Sequence, residues 1–459
     1  MLDATLREET ELGATSTPAV RGWGVLECFI ISQTALPALL YFPGTQAIRV
    51  PIRMAPFALS LAGLAWWLSR EAPPGQAPPH PARPWLVACA AYLTLSILHP
   101  NTNSPLAGLA QTALYVSVLA PVIWVPQLVS TPAQIQRILG IVLVSCGINS
   151  AVGILQVYDP GRWLPQEFSS VVVHSYQGVL AYVGPTGEHI VRPPGLSDNP
   201  GAVCGPGMIA AFLGLYFFAR PVSWLWRGAS LAISFAGITA VYLSQVRTAL
   251  LVAAGMCVVY AVAVALQQRK AHATAFLGIA AAVVGAAFVV AVLLGGESVG
   301  ARFATLSDDP QSVYYASGRG EQLEDGFARY LTNYPFGAGL GRWGMMRTYF
   351  GDPSNPDSPP LWAELQMPAW ILDGGVVLLL LYGVALVKTA RHELRLVRSA
   401  TGEVASMAAV VFAINAGTLA LVFGFAPFTN QVGLQFWFLA GAISGLAHAS
   451  RGSTCETTS

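Results

Sequence analysis

The stretch LSQVRTALLV (243–252) places Arg247 between two apolar runs, on a turn too short to carry it away from a lipid surface. A guanidinium keeps its charge there and costs several kcal/mol near hydrocarbon unless it is paired or wet. It calls for an anion, and its planar fork of donors matches phosphate oxygens. A lipid-linked phosphate would sit at that interface. The plain alternative is an arginine that snorkels to the surface. Arg192 and Arg319, each taken alone, read as solvated loop charges. Carboxylates that could act as bases stand at Glu321, Glu324, Asp325 and Glu364, with Glu188 and His189 competing from another segment.

Other chemistries lack their residues. The seven histidines are scattered, five of the six cysteines fall in apolar stretches, and neither type has metal-ligand spacing, so no metal or cofactor is expected. There is no GxxxxGK[ST] and no GxSxG. The FGAGLG run (336–341) could cradle phosphate through backbone donors, but it neither follows a strand nor opens a helix. A tight loop returning the chain to the membrane is the better reading, with the glycines serving backbone conformation. Aromatic residues such as Trp163, Trp343 and Trp362 could stack on sugar rings or anchor the chain at an interface.

The elements that must position these residues are membrane helices. The chain of 459 residues is 54% hydrophobic and only 10% charged, with mean hydropathy +0.55. Water is not its main solvent, and a net charge of +1 points to no nucleic-acid partner. Apolar stretches of roughly 20 residues, the length that spans a bilayer, recur almost throughout. The reading is all-α, a polytopic membrane protein of about 12 transmembrane helices. They lie near 24–43, 52–69, 85–99, 107–127, 134–158, 200–219, 223–244, 248–266, 273–295, 362–388, 403–424 and 430–448.

An even number of spans puts both termini on one side. With that side cytoplasmic, fourteen Lys and Arg residues, Arg70, Arg137, Arg220 and Arg395 among them, lie inside, and outside the two long loops only Arg49, Arg53 and Arg247 oppose them. The expected organisation is a cytoplasmic tail at 1–23, a membrane domain at 24–448 and a second cytoplasmic tail at 449–459. Residues 72–84 form a Pro-rich cytoplasmic linker. Two outer-face loops, about 159–199 and about 296–361, are far longer than their connections require; the larger joins helices 9 and 10. Within it, SGRGEQLEDGFARYL traced as a helix brings Arg319, Leu323, Phe327 and Tyr330 to one face, as an interfacial lid would.

The three arginines fall in a series that resembles the O-antigen ligase and O-antigen (Wzy-type) polymerase superfamily of bacterial membrane glycan-assembly proteins. The likeness covers roughly 190–385. Arg192-Pro-Pro-Gly195 running to Asn199-Pro200 is similar to the family's stretch entering a helix, and Ser244-Gln-Val-Arg247-Thr to its Ser-x-Arg. Ser317-Gly-Arg319 followed by Pro335-Phe-Gly-Ala-Gly-Leu-Gly341 is similar to its third motif.

The resemblance implies transfer of a glycan from undecaprenyl diphosphate to an acceptor glycan hydroxyl on the periplasmic face of the bacterial inner membrane. It makes Arg247, Arg319 and Arg192 the diphosphate ligands. Where ligases carry His-Asn, nine residues before an acidic residue and Gly, counting back from Asp373-Gly374 reaches Glu364, which becomes the candidate catalytic base. That departure favours a polysaccharide or O-antigen repeat-unit polymerase over an O-antigen ligase acting on lipid A core or a protein. The expected enzyme is an inverting, metal-independent glycosyltransferase with no cofactor. Its partners are the lipid-linked donor, the acceptor glycan, the lipid bilayer and other envelope polysaccharide assembly proteins. A lipid-linked oligosaccharide flippase or secondary transporter is the rival from another class.

Overall fold

A computed structural model describes residues 24–70, 77–166, 181–183, 189–296, 299–301, 303–304 and 316–456. The expected N-terminal tail (1–23), the beginning of the Pro-rich linker (72–76) and residues 305–315 of the larger loop lie outside these. The regular structure of the described residues is helical apart from one short antiparallel pair, β1 (Ala181–Val183) and β2 (His189–Val191). Its main helices are α1 (Val25–Thr34), α2 (Arg49–Leu68), α3 (Arg83–Ser96), α4 (Pro105–Leu119), α5 (Pro132–Tyr158), α6 (Cys204–Phe218) and α7 (Trp224–Ser244). These are followed by α8 (Arg247–Leu266), α9 (Lys270–Gly295), a helix α10 over 316–333, α11 (Gly344–Phe350), α12 (Gln366–Ser399), α13 (Gly402–Leu421) and α14 (Gln431–Glu456). Each of the twelve expected stretches holds a helix. Among the described residues, seven helices are long and apolar enough to cross a membrane, namely α4 with its continuation to Gln127, α5, α8, α9, α12, α13 and α14.

Two helices outrun their apolar stretches. α12 continues past 388 to Ser399, and α14 past 448 to Glu456 where a tail was expected. Hydropathy falls in TARHELRLVRS (389–399) because of its charges, yet Thr389, Glu393, Leu396 and Val397 remain buried on one side. A helix needs only such a seam to continue beyond the hydrocarbon.

The ends of the helices on the face of the two long loops are locked together by polar contacts. Asn103, between α3 and α4, donates to Asp352 O (3.0 Å) and Ser358 Oγ (2.8 Å), and its own N–H donates to Leu340 O (3.0 Å). Arg342, almost wholly buried, donates to Ala338 O (3.0 Å) and twice to Pro359 O (3.2 and 3.0 Å). Burial holds this guanidinium below its ordinary range, with Tyr334 opposing the shift. Gln366 at the start of α12 accepts from Phe428 N–H (2.7 Å), which ties α12 to the α13–α14 turn.

The FGAGLG segment lies across a break in α12, where Gly375 has φ 59° and ψ −150°. Val376 N–H donates to Pro335 O (2.9 Å) and Ala338 N–H to Leu372 O (2.7 Å), so the loop supplies partners that the broken helix lacks. A Cβ on Gly375 would come 2.0 Å from Pro335 O, and one on Gly339, at φ 90°, would come 2.4 Å from the Asn101 backbone. Close approach and positive φ thus explain the glycines.

Asp373, two residues before the break, is buried and accepts from Tyr115 Oη (2.7 Å), Gln111 Nε2 (3.0 Å) and Trp343 Nε1 (2.8 Å). Asp373→Ala would orphan three buried donors at about 1–3 kcal/mol each, partly relieved by repacking. The expected outcome is a clear fall in the melting temperature of the detergent-solubilised protein, with faster proteolytic cutting in 344–361. An unchanged melting curve would show that this carboxylate does not hold the loop.

Candidate functional site

Arg247 is the first residue of α8 and is half-buried. It follows a turn of only two residues from α7. Gln245 makes that turn possible with a left-handed backbone (φ 57°, ψ 23°), and Ser244 Oγ accepts from Val246 N–H (3.3 Å). Gln245 is 4% exposed, and neither polar atom of its side chain has a protein partner. Buried amides are nearly always satisfied, so this orphan, two residues before Arg247 in the chain, is open to another polar group. Nothing in the residue type or spacing of Gln245 had set it apart.

Arg319 lies in the first turn of α10, where both 316–320 and 326–330 are wound as π-helix. Its Nη1 donates to Thr248 Oγ1 (3.3 Å), directly after Arg247 in the chain. The same nitrogen lies 3.8 Å from where a Cβ on Gly424 would stand, beyond the end of α13. Three residues on, Gln322 Nε2 donates to Glu364 Oε2 (3.3 Å). Glu364 is exposed, on the strand of chain that leads into α12.

Arg192 leaves β2 and its guanidinium lies over Gly201, where a Cβ would come within 3.3 Å of Nη2. The segment between is fixed at two points. Gln156 of α5 exchanges two 2.8 Å hydrogen bonds with the backbone of Gly195. Asp198, fully buried, pairs with Arg49 (2.8 Å) and Arg53 (2.5 Å) of α2. These pairs account for two of the three basic residues that the charge count placed on this side. Cys204, at the start of α6, lies in the electrostatic field of both Arg192 and Arg319. Arginines 127 positions apart in the chain therefore come to one locality, and a contact through Thr248 brings the neighbour of Arg247 into it.

The other sequence candidates fall differently. Glu321, Glu324 and Asp325 are exposed on α10, while Glu188 and the side chain of His189 lie outside the described residues. Trp343 is a buried partner of Asp373, whereas Trp362 is exposed. Arg347 donates to Ser358 O (2.9 Å) and so helps to shape the large loop.

A cavity of about 230 Å³ lies among α1, α5, α6, α8, α13 and α14, beneath the 196–202 segment. Gln33, Asn149, Thr418 and Gln435 line it, and none of its lining residues is charged. Gln33 Oε1 and Asn149 Oδ1 have no protein partner.

No protein-family model matches this chain, and no curated protein matches it.

The buried ion triad is the part of this region most open to a stability test. Removing Asp198 leaves Arg49 and Arg53 facing each other, and breaking a buried pair from one side costs about 3–5 kcal/mol. Asp198→Asn should therefore lower thermal stability markedly. Asp198→Asn combined with Arg49→Gln should recover part of the loss, since it removes one stranded charge. A double variant as unstable as the sum of both single changes would rule out direct pairing.

Proposed function

We propose that this protein is a membrane glycosyltransferase that polymerises polyprenyl-diphosphate-linked glycan repeat units, as its resemblance to the O-antigen ligase and polymerase superfamily implies. The observation that carries the proposal is the meeting of Arg319 with Thr248 at the head of α8. It supports a site in which Arg247 and Arg319, from a helix end and from the large loop, hold one diphosphate, with Arg192 as a third ligand. Gln245, two residues before Arg247, has a buried, unpartnered amide.

In this reading the acceptor hydroxyl attacks the anomeric carbon from the side opposite the diphosphate. Its proton passes to Glu364, oriented by Gln322; the bond from C1 to the phosphate oxygen breaks, and the lipid diphosphate departs with the bonding pair. Guanidinium groups stabilise the charge that grows on the leaving oxygens. The uncharged cavity beneath the 196–202 segment, with Gln33, Asn149 and Gln435 on its wall, suits a sugar ring. The face carrying 335–361 is then periplasmic, the chain crosses the inner membrane twelve times, and both termini are cytoplasmic. The cavity also favours a second reading, a lipid-linked oligosaccharide flippase, because it lies among six helices and its mainly apolar wall carries polar but neutral groups.

A charge-assisted hydrogen bond to phosphate contributes roughly 1.5–3 kcal/mol, so Arg247→Ala and Arg319→Ala should each cost at least about tenfold in polymer formation from lipid-linked repeat units. Lysine should rescue poorly, since it keeps the charge and loses the fork. Arg329→Ala, exposed on the same helix, should stay near the parent rate. Parental turnover by both alanine variants at normal membrane levels would remove the diphosphate clamp and favour the flippase.

Orientation has its own measurement. In cells with a permeabilised outer membrane and a protein lacking its native cysteines, Asp357→Cys should react with an impermeant thiol reagent while Arg395→Cys should not. The reverse pattern would put the arginine site on the cytoplasmic face.

A further inference from the structure

At the face opposite the arginine site, a pocket of about 480 Å³ opens between the ends of α6, α7, α8, α9 and α13. Arg220, Arg227, Arg269 and His272 line it, with Glu403 the sole carboxylate among its lining residues. Three guanidinium groups against one carboxylate leave two positive charges in excess before His272 is counted. Arg220 is set in place by Tyr216 Oη (2.6 Å) and Glu403 (3.5 Å). Arg227 is held through Nε, which donates to Phe218 O (3.0 Å), and this leaves its two terminal nitrogens for an anion. Arg269 and His272 stand exposed at the start of α9.

The remaining wall is apolar. Phe276 and Ile279 continue from His272 down α9, with Ala275 exposed beside them. Among the seven apolar spans, α9 is the least enclosed by protein, so this wall leads sideways toward lipid. We propose that the pocket binds an anionic phospholipid, its phosphate on Arg227 and Arg269 and its acyl chains along α9. A soluble phosphate would satisfy the same guanidinium groups but has no use for the apolar wall; a phospholipid uses both. α8 runs the 20 residues from Arg247 to Leu266, about 30 Å at 1.5 Å per residue, so this site is separate from the diphosphate site and does not depend on its reading.

The test uses the full-length protein, delipidated in neutral detergent, with thermal unfolding and native mass spectrometry as readouts. Cardiolipin or phosphatidylglycerol should raise the melting temperature and remain bound, whereas phosphatidylcholine and millimolar inorganic phosphate should not. Arg227→Gln with Arg269→Gln should weaken apparent binding of the anionic lipid at least about tenfold. Arg395→Gln with Arg398→Gln, basic residues outside this pocket, should leave it unchanged. Ala275→Trp keeps every charge and blocks the apolar wall, so it should also lose the lipid, which keeps the proposal testable if the double arginine variant fails to fold. Equal losses from the Arg395 and Arg398 changes would reduce the effect to general surface charge and overturn the site. A shift reproduced by inorganic phosphate alone would assign the pocket to a soluble anion and overturn the lipid.

Discussion

Asp373 stands where three distant parts of the chain meet. One of its oxygens accepts from α4 through Gln111 and Tyr115, the other from the large loop through Trp343, and the residue itself belongs to α12. A carboxylate sealed from water is tolerated only when its lone pairs are filled, and here the donors come from elements that must be correctly placed to reach it. Two residues later the helix breaks at Gly375, and the loop docks into the break with its own backbone. The carboxylate and the break together hold a segment far longer than a simple connection against the helical bundle. That segment contributes the chain entering α12 on which Glu364 sits.

The arrangement of charge has a second logic. Asp198 is buried with Arg49 and Arg53, and the remaining arginines of that region, Arg192, Arg247 and Arg319, are only half-buried. Burial with a carboxylate fixes a segment, whereas a half-buried guanidinium keeps one side toward solvent. The 192–201 segment uses both conditions within a few residues, since Asp198 pins it and Arg192 lies on its surface over Gly201. At the opposite face Arg220 is tied to Tyr216 and Glu403, whereas Arg227 keeps donors in reserve.

The helices were legible in the sequence because apolar runs of membrane length leave few alternatives: backbone groups in hydrocarbon must be satisfied within the segment. A helix lies in each of the twelve stretches read by hydropathy. Where the reading stopped short, at 388 and 448, polarity had served as the end signal, although α12 continues to Ser399 with charges on one side and a buried seam on the other, and α14 continues to Glu456. Arg247 was equally legible, since an arginine between apolar runs on a short turn has few places to go. The glycines of FGAGLG could be read as conformational, but not what they approach.

The sequence by itself determined the solvent of this protein, its helical class, and the presence of arginines at a helix end and in loops, because those follow from composition and local pattern. Only the tertiary structure decided which of these charges meet. The pairing of Asp198 with Arg49 and Arg53, the contact of Arg319 with Thr248, and the unpartnered state of Gln245 join residues through packing or depend on a left-handed backbone angle. Neither leaves a periodic trace. Hydrophobicity acts along the chain and is visible there, whereas hydrogen bonds between elements depend on distance and direction, which exist only once the helices have packed.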